Sequence, residues 1–187
     1  VESLRAQAET DITTNSATEP DGADAPSVTA PSKAVGPTGI DIEIPASIPD
    51  DYIEDLPTRL EIYRKLGAAP TNDEVDSMER EILDRFGPLP WQVLNLLYVA
   101  RLRLTAGKAG IEAIVREQSA IVLRFRHEVG GARDVLQRLL GPSASVGHMQ
   151  IRLDTNMIYD GWEAPLMSTI ENLAEFKERL ESQLAVD

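Results

Sequence analysis

The sequence contains no cysteine, which excludes disulfide bridges and zinc sites built on thiolates. Histidine is nearly as scarce, with two residues in a chain of 187, and neither His127 nor His148 belongs to a metal-binding pattern such as HExxH. We therefore predict that both histidines are surface residues and that this chain binds no metal or other cofactor.

Long apolar runs are also missing. No segment approaches the roughly 18 apolar residues that a membrane-spanning helix needs, and no segment resembles a secretory signal. Acidic residues outnumber basic ones by 31 to 18, giving a formal net charge of −13. Such a chain repels phosphate backbones and anionic lipids, which disfavours general nucleic-acid or membrane binding. We expect a cytoplasmic protein with no membrane partner.

The N-terminal part of the chain has few large apolar residues. Residues 10–39 are rich in Thr, Ser, Ala, Pro, Gly and acids, a composition that cannot offset the entropy of ordering, so we predict a flexible, disordered linker. The chain begins at Val1, and VESLRAQAE (residues 1–9) is typical of the end of a helix already under way. We therefore expect a piece of a longer protein, with one folded domain over residues 40–187.

The domain opens with IDIEI, whose alternation predicts a strand. Three helices should follow. The first has an apolar stripe, the second opens with a capping box at Thr71 and Glu74 and ends at Gly87, and the third, near residues 90–109, is apolar almost all round. The expected buried positions of the first two helices are Leu56, Leu60, Tyr63 and Leu66, then Val75, Met78, Ile82 and Phe86.

After residue 110 the spacing of apolar residues along the chain changes. IEAIVREQ and SAIVLRFR predict two strands with a turn near Gln118, GGARDVLQRLLGPS predicts a helix, and VGHMQIRLD predicts one strand. A final amphipathic helix should bury Leu166, Ile170, Leu173, Leu180 and Leu184. The order β-α-α-α-β-β-α-β-α predicts an α+β (mixed α/β) fold, with helices packed on a small sheet.

The sequence has few patterns that are typical of catalytic sites. Asp50 and Asp51 form an acid pair, but in a turn, and with His127 they make only a weak candidate for a small enzyme. No glycine-rich phosphate loop and no nucleophile elbow are present. We therefore expect a non-catalytic domain.

Charge is unevenly distributed along the domain. Residues 41–84 hold thirteen acids and four basic residues, whereas residues 101–138 hold eight basic residues and four acids. An acidic surface favours a basic protein partner. The alternative is a nucleic-acid-contacting module that uses the basic segment 101–138, with Arg101, Arg103, Arg124, Arg126 and Arg133.

The stretch EREILDRFGPLP, which ends at Pro90, carries the candidate site. Measured at 100° per residue from the apolar stripe of the second helix, Glu81, Asp84 and Arg85 all point away from the core. Glu81 and Arg85 have the spacing of a surface ion pair, and Asp84 has no partner on the helix. The geometry is compatible either with a solvated face or with a docking surface that grips charged groups of a partner.

Four segments in order, PDDYI, TRLEIYRKL, LDRFGPLP and ARLRLTAGKAGIEAI, resemble the TRCF domain, the C-terminal domain of bacterial transcription-repair coupling factors. The likeness runs from Ile40 to the C terminus and is strongest from Pro49 to Ile114. Glu54 departs from the family pattern, which often has proline after DDYI.

The resemblance implies that the parent protein is an ATP- and magnesium-dependent translocase on double-stranded DNA that engages RNA polymerase and recruits UvrA in transcription-coupled DNA repair. Residues 1–9 would be the end of its translocase module. The domain itself would be non-catalytic and autoinhibitory, docking on the N-terminal UvrB-like module and masking the surface that UvrA binds. The family places that contact on residues that correspond to Glu81, Asp84 and Arg85.

Overall fold

The computed structural model describes residues 38–154 and 161–184. Within those ranges the fold has five strands and five α-helices, which confirms the predicted α+β class. A short 3-10 turn at Gly130–Ala132 precedes the fourth helix. The elements are β1 (Gly39–Asp41), α1 (Leu56–Ala68), α2 (Asn72–Phe86), α3 (Trp91–Ala109), β2 (Ile111–Glu117), β3 (Ala120–Phe125), α4 (Arg133–Leu140), β4 (Ala144–Val146), β5 (Gln150–Asp154) and α5 (Glu163–Leu184).

The predictions for residues 1–37, a helix end followed by a linker, lie outside the described residues, as does the side chain of Leu184. Contacts with the rest of the fold are already present at Thr38 and Gly39, before residue 40. The Thr38 hydroxyl is buried and donates to the carbonyl of Ile111 at 2.8 Å, and Gly39 opens β1. The predicted strand over IDIEI is shorter than expected, because pairing with β2 ends at Asp41.

The five strands form one mixed sheet in the order β1-β2-β3-β5-β4. Only β1 pairs in parallel, with β2, and the remaining neighbours are antiparallel. The predicted turn between β2 and β3 is confirmed at Gln118, which has a positive φ of 45°. The segment VGHMQIRLD, predicted as one strand, contains the last residue of β4 and all of β5, since Gly147 donates to the Gln150 carbonyl at 2.8 Å and turns the chain between the two strands.

Two apolar clusters fill the domain, and α3 belongs to both. Val93, Leu97 and Ala100 pack with α1 and α2. Leu102, Ala106 and Ala109 pack with the sheet, α4 and α5. This double role explains why the sequence of α3 is apolar almost all round, as predicted for a central helix. No helix in the described ranges is both long enough and apolar enough to cross a membrane.

Two of the predicted apolar stripes are partly wrong. In α1 the buried residues are Ile62 and Leu66, while Leu56 and Leu60 are exposed. The predicted stripe, which included Leu56 and Leu60, is therefore offset from the face of α1 that packs against α2 and α3. In α5 Leu180 is exposed, because the helix has 22 residues and extends beyond the elements that cover Leu166, Ile170 and Leu173.

Candidate functional site

The orientation of α2 is fixed at its start and along its buried side. The Thr71 hydroxyl accepts a hydrogen bond from the Glu74 amide at 3.3 Å, which confirms the threonine half of the predicted capping box. Val75 and Ile82 are fully or almost fully buried against α1 and α3. This burial fixes the rotation of α2 about its axis, so the other faces of the helix point outward.

The end of α2 is held as firmly as its start. Gly87 has φ +85° and ψ −160° and donates to the Leu83 carbonyl at 3.0 Å. The Tyr52 hydroxyl donates to the Gly87 carbonyl at 2.9 Å, and the Tyr52 ring meets the Phe86 ring edge to face at 6.2 Å. The last turn of α2 is therefore fixed by the loop that precedes α1.

Glu81, Asp84 and Arg85 lie exposed on this last part of α2. Arg85 donates to Glu81 at 2.9 Å, and its guanidinium lies 4.9 Å from the centre of the Phe86 ring. Asp84 forms no hydrogen bond or ion pair with any other residue that the structure describes. The predicted outward orientation and the Glu81–Arg85 pair are confirmed, while a docking role for the three residues stays a prediction.

Helix α1 adds a second ion pair beside the first. Lys65 lies 3.0 Å from Glu61, and a shallow groove between α1 and α2 is lined by Glu61, Lys65, Glu81 and Arg85. The pKa of Glu61 is lowered mainly by the hydrogen bond from Lys65 and its charge, with a smaller contribution from Arg85 across the groove. The sequence analysis did not identify Glu61 and Lys65, although their i,i+4 spacing was a usable signal.

Arg101 and Arg103, two of the arginines in the nucleic-acid alternative, bind other residues of the domain. Arg101 contacts both Asp76, at 2.7 Å, and Glu79. Arg103 donates to the carbonyls of Leu66 and Gly67 at the end of α1, at 3.0 and 2.8 Å. Both arginines therefore join helices to one another.

The other three arginines lie on separate elements. Arg124 on β3 is 3.7 Å from Glu117. Arg126 is partly buried after β3, and Arg133 is exposed at the first residue of α4. The basic segment is thus distributed over α3, the sheet and α4, and nucleic-acid affinity depends on closely placed cations.

The weak enzyme candidates are also kept apart. Asp50 is 3.0 Å from Arg59 of α1. His127 lines a cavity of about 230 Å³ between α5, α4 and the end of β3, whose lining includes neither Asp50 nor Asp51. His148 lies on the surface, 3.0 Å from Glu128. In the described part of the chain no group of three or more acidic or histidine side chains is arranged to hold a metal ion.

Comparison with known proteins supports the predicted resemblance. Residues 42–133 match the TRCF domain family. The transcription-repair-coupling factor of Escherichia coli (strain K12) is 38% identical over 88 residues, which cover 47% of this chain and 8% of that protein. The transcription-repair-coupling factor of Bacillus subtilis (strain 168) is 31% identical over 97 residues, which cover 52% of this chain and 8% of that protein. The chain thus spans less than a tenth of the length of these relatives.

A solved structure shows the same fold. The crystal structure of the C-terminal domain of a transcription-repair coupling factor superposes with a TM-score of 0.67 at 24% sequence identity. The match covers 77% of this chain and 96% of the solved chain. The resemblance predicted from the sequence is confirmed.

Proposed function

We propose that this chain, whose residues 42–133 form a TRCF domain, is the regulatory C-terminal domain of a transcription-repair coupling factor and acts without catalysis. In this proposal the domain docks on the N-terminal UvrB-like module of the same protein, covers the surface that UvrA binds, and thereby holds the protein in a repressed state. Release of the domain would expose that surface during transcription-coupled DNA repair.

One observation carries the proposal: Asp84 is an outward-facing carboxylate with no partner in the described part of the chain, beside the Glu81–Arg85 pair on a helix fixed at both ends. A fixed charged surface loses little entropy on binding, so it suits charge-assisted hydrogen bonds to a partner. The pair presents a cation and an anion, and Asp84 requires a cation opposite it. These features favour a protein surface with arginine or lysine.

The proposal extends to the whole protein. Its ATP and magnesium would be bound by the translocase module, and its contacts with RNA polymerase and DNA would be made outside this domain, which would take no cofactor. The relatives are bacterial proteins named for coupling transcription to repair, and the proposed location is the cytoplasm.

The test reverses the three charges. A chain with Glu81→Arg, Asp84→Arg and Arg85→Glu should remain folded by circular dichroism, because all three side chains are exposed. Its affinity for the N-terminal UvrB-like module should fall by about tenfold or more, and the same change in the parent protein should increase UvrA binding.

The matched control reverses another exposed i,i+4 pair, Glu175 and Arg179 on α5, which are 3.0 Å apart. Exchange of these two residues should leave both affinities unchanged. If the triple reversal folds but alters neither affinity, the docking proposal is wrong. Salt-sensitive DNA binding by the isolated chain would instead support the nucleic-acid alternative.

A further inference from the structure

Two polar contacts show the register of α2 against α3. Asn72 donates to the Thr105 hydroxyl at 3.4 Å, and Asp76 accepts from Arg101 at 2.7 Å. From Asn72 to Asp76 the chain advances four residues along α2, while their partners, Thr105 and Arg101, go back four residues along α3. The two helices are therefore antiparallel. A further step of seven residues, two helical turns, keeps nearly the same face of each helix. This step places Leu83 opposite Leu94.

Both of these leucines are exposed, Leu83 by 49% and Leu94 by 47%. Trp91 lies one turn before Leu94 on α3 and is 57% exposed. Single exposed apolar residues are ordinary, but adjacent large ones mark interaction sites. Residues three apart on a helix are neighbours, so the three side chains form one apolar patch at the end of the α2–α3 pair.

The patch borders Asp84. Asp84 follows Leu83 directly and lies between it and the side of α2 that carries Glu81 and Arg85. The patch and the Glu81–Arg85 pair therefore lie on opposite flanks of the same end of α2, about 160° apart around the helix, with Asp84 between them. Interfaces combine an apolar centre rich in tryptophan with charged groups at its edge, and this arrangement supplies both parts.

We infer that Leu83, Leu94 and Trp91 form the apolar anchor of the docking surface, and that the partner is a protein carrying an apolar socket beside a lysine or arginine that pairs with Asp84. The inference rests on the proposed function and extends it, because it adds an apolar contact to the charged contacts. A second copy of this chain fits less well, because it would bring Asp84 and the net charge of −13 against like charges.

The first measurement is affinity for the N-terminal UvrB-like module. Leu83→Gln with Leu94→Gln should weaken binding by about tenfold or more. The control is Leu56→Gln with Leu60→Gln on α1, whose side chains are 54% and 57% exposed. These leucines match in type and exposure but lie outside the patch, so the control should keep its affinity. Circular dichroism should show all the variants folded.

The second measurement reads the environment of Trp91 directly. The chain is labelled with 5-fluorotryptophan and followed by fluorine NMR, and its two tryptophan signals are assigned with Trp162→Phe. Addition of the unlabelled module should shift the Trp91 signal and reduce its solvent isotope shift. Trp162 packs against the sheet cluster and lies 5.8 Å from Arg116, so its signal should not change.

The outcomes separate the two proposals. If the charge reversal weakens binding while the Leu83 and Leu94 changes do not, and the Trp91 signal is unmoved, the anchor patch is refuted and the proposed function stands. If the leucine changes weaken binding and the charge reversal does not, the patch stands and the charged contact fails. No binding of the module refutes both. A dimer in sedimentation equilibrium that is lost on Leu83→Gln with Leu94→Gln refutes the assigned partner.

Discussion

Arg101 on α3 places its Nη2 atom 2.7 Å from Oδ1 of Asp76 on α2, and the same guanidinium also contacts Glu79. Burial lowers the pKa of Arg101, but the hydrogen bonds to the two carboxylates outweigh it and raise the pKa. The three charges form a partly buried connection between two helices. The Arg101–Asp76 contact is one of the two from which helical spacing places Leu83 opposite Leu94.

Removing the cation should destabilise the domain. Arg101→Met leaves Asp76 and Glu79 close together without their partner, so we expect a loss of about 1–2 kcal/mol of unfolding free energy. Urea denaturation followed by circular dichroism measures this. Arg133→Met is the control, since Arg133 is exposed at the start of α4. Equal stability of the two variants would contradict a structural role for Arg101.

The cap of α2 makes a second prediction. Thr71→Ala removes the hydroxyl that accepts from the Glu74 amide and should cost about 1 kcal/mol of stability. Thr71→Ser keeps the acceptor and should cost much less. Thermal unfolding of the two variants tests the cap, and equal losses would show that the threonine methyl group, rather than its oxygen, matters.

Two glycines should respond to alanine in opposite directions. Gly87 has φ +85° and ψ −160°, a conformation open almost only to glycine, so Gly87→Ala should cost about 1–3 kcal/mol. Gly67 is within α1, and a Cβ there would meet no atom within 4 Å. Gly67→Ala should stabilise the domain by about 0.5–1 kcal/mol. Changes in unfolding free energy of the same sign for the two substitutions would contradict this account of the two glycines.

Asp55 predicts a pH effect at the start of α1. Hydrogen bonds from the Thr58 hydroxyl, at 2.6 Å, and from its amide, at 2.9 Å, lower the pKa of Asp55 from its ordinary value of 3.8. A group whose pKa is lower in the folded state stabilises that state above its unfolded pKa, and the stabilisation is lost as the pH falls through the folded pKa.

The stability difference between the natural chain and Asp55→Ala should therefore be greatest near neutral pH and shrink below about pH 4. Chemical denaturation across this range measures it. Glu54→Ala changes the neighbouring exposed acid and is the control, for which little change in the difference is expected. A difference for Asp55→Ala that stays constant down to about pH 3 would contradict the cap.

Local signals were sufficient to predict much of the candidate site. The threonine cap, the glycine end and the buried stripe of α2 all depend on residues within a few positions of each other. They fixed the outward orientation of Glu81, Asp84 and Arg85 and the pairing of the first with the last, which the structure confirms. The class of the fold followed from the order of the periodic segments.

What the sequence did not predict depends on distant pairs. The roles of Arg101 and Arg103 require knowing that α3 passes beside both α1 and α2, which no local spacing reveals. The exposure of Leu60 depends on which side of α1 its neighbours cover. The inferred patch of Leu83 and Leu94 depends on the register of α2 against α3, which the order of apolar residues in the sequence does not reveal.

Helix α3 is shared between the two apolar clusters, and this sharing removes any internal seam along which the helical end could swing away from the sheet. The domain should therefore attach to and leave a partner as one rigid body. Control over that step would then have to act from outside the domain, for example through competition for the same face.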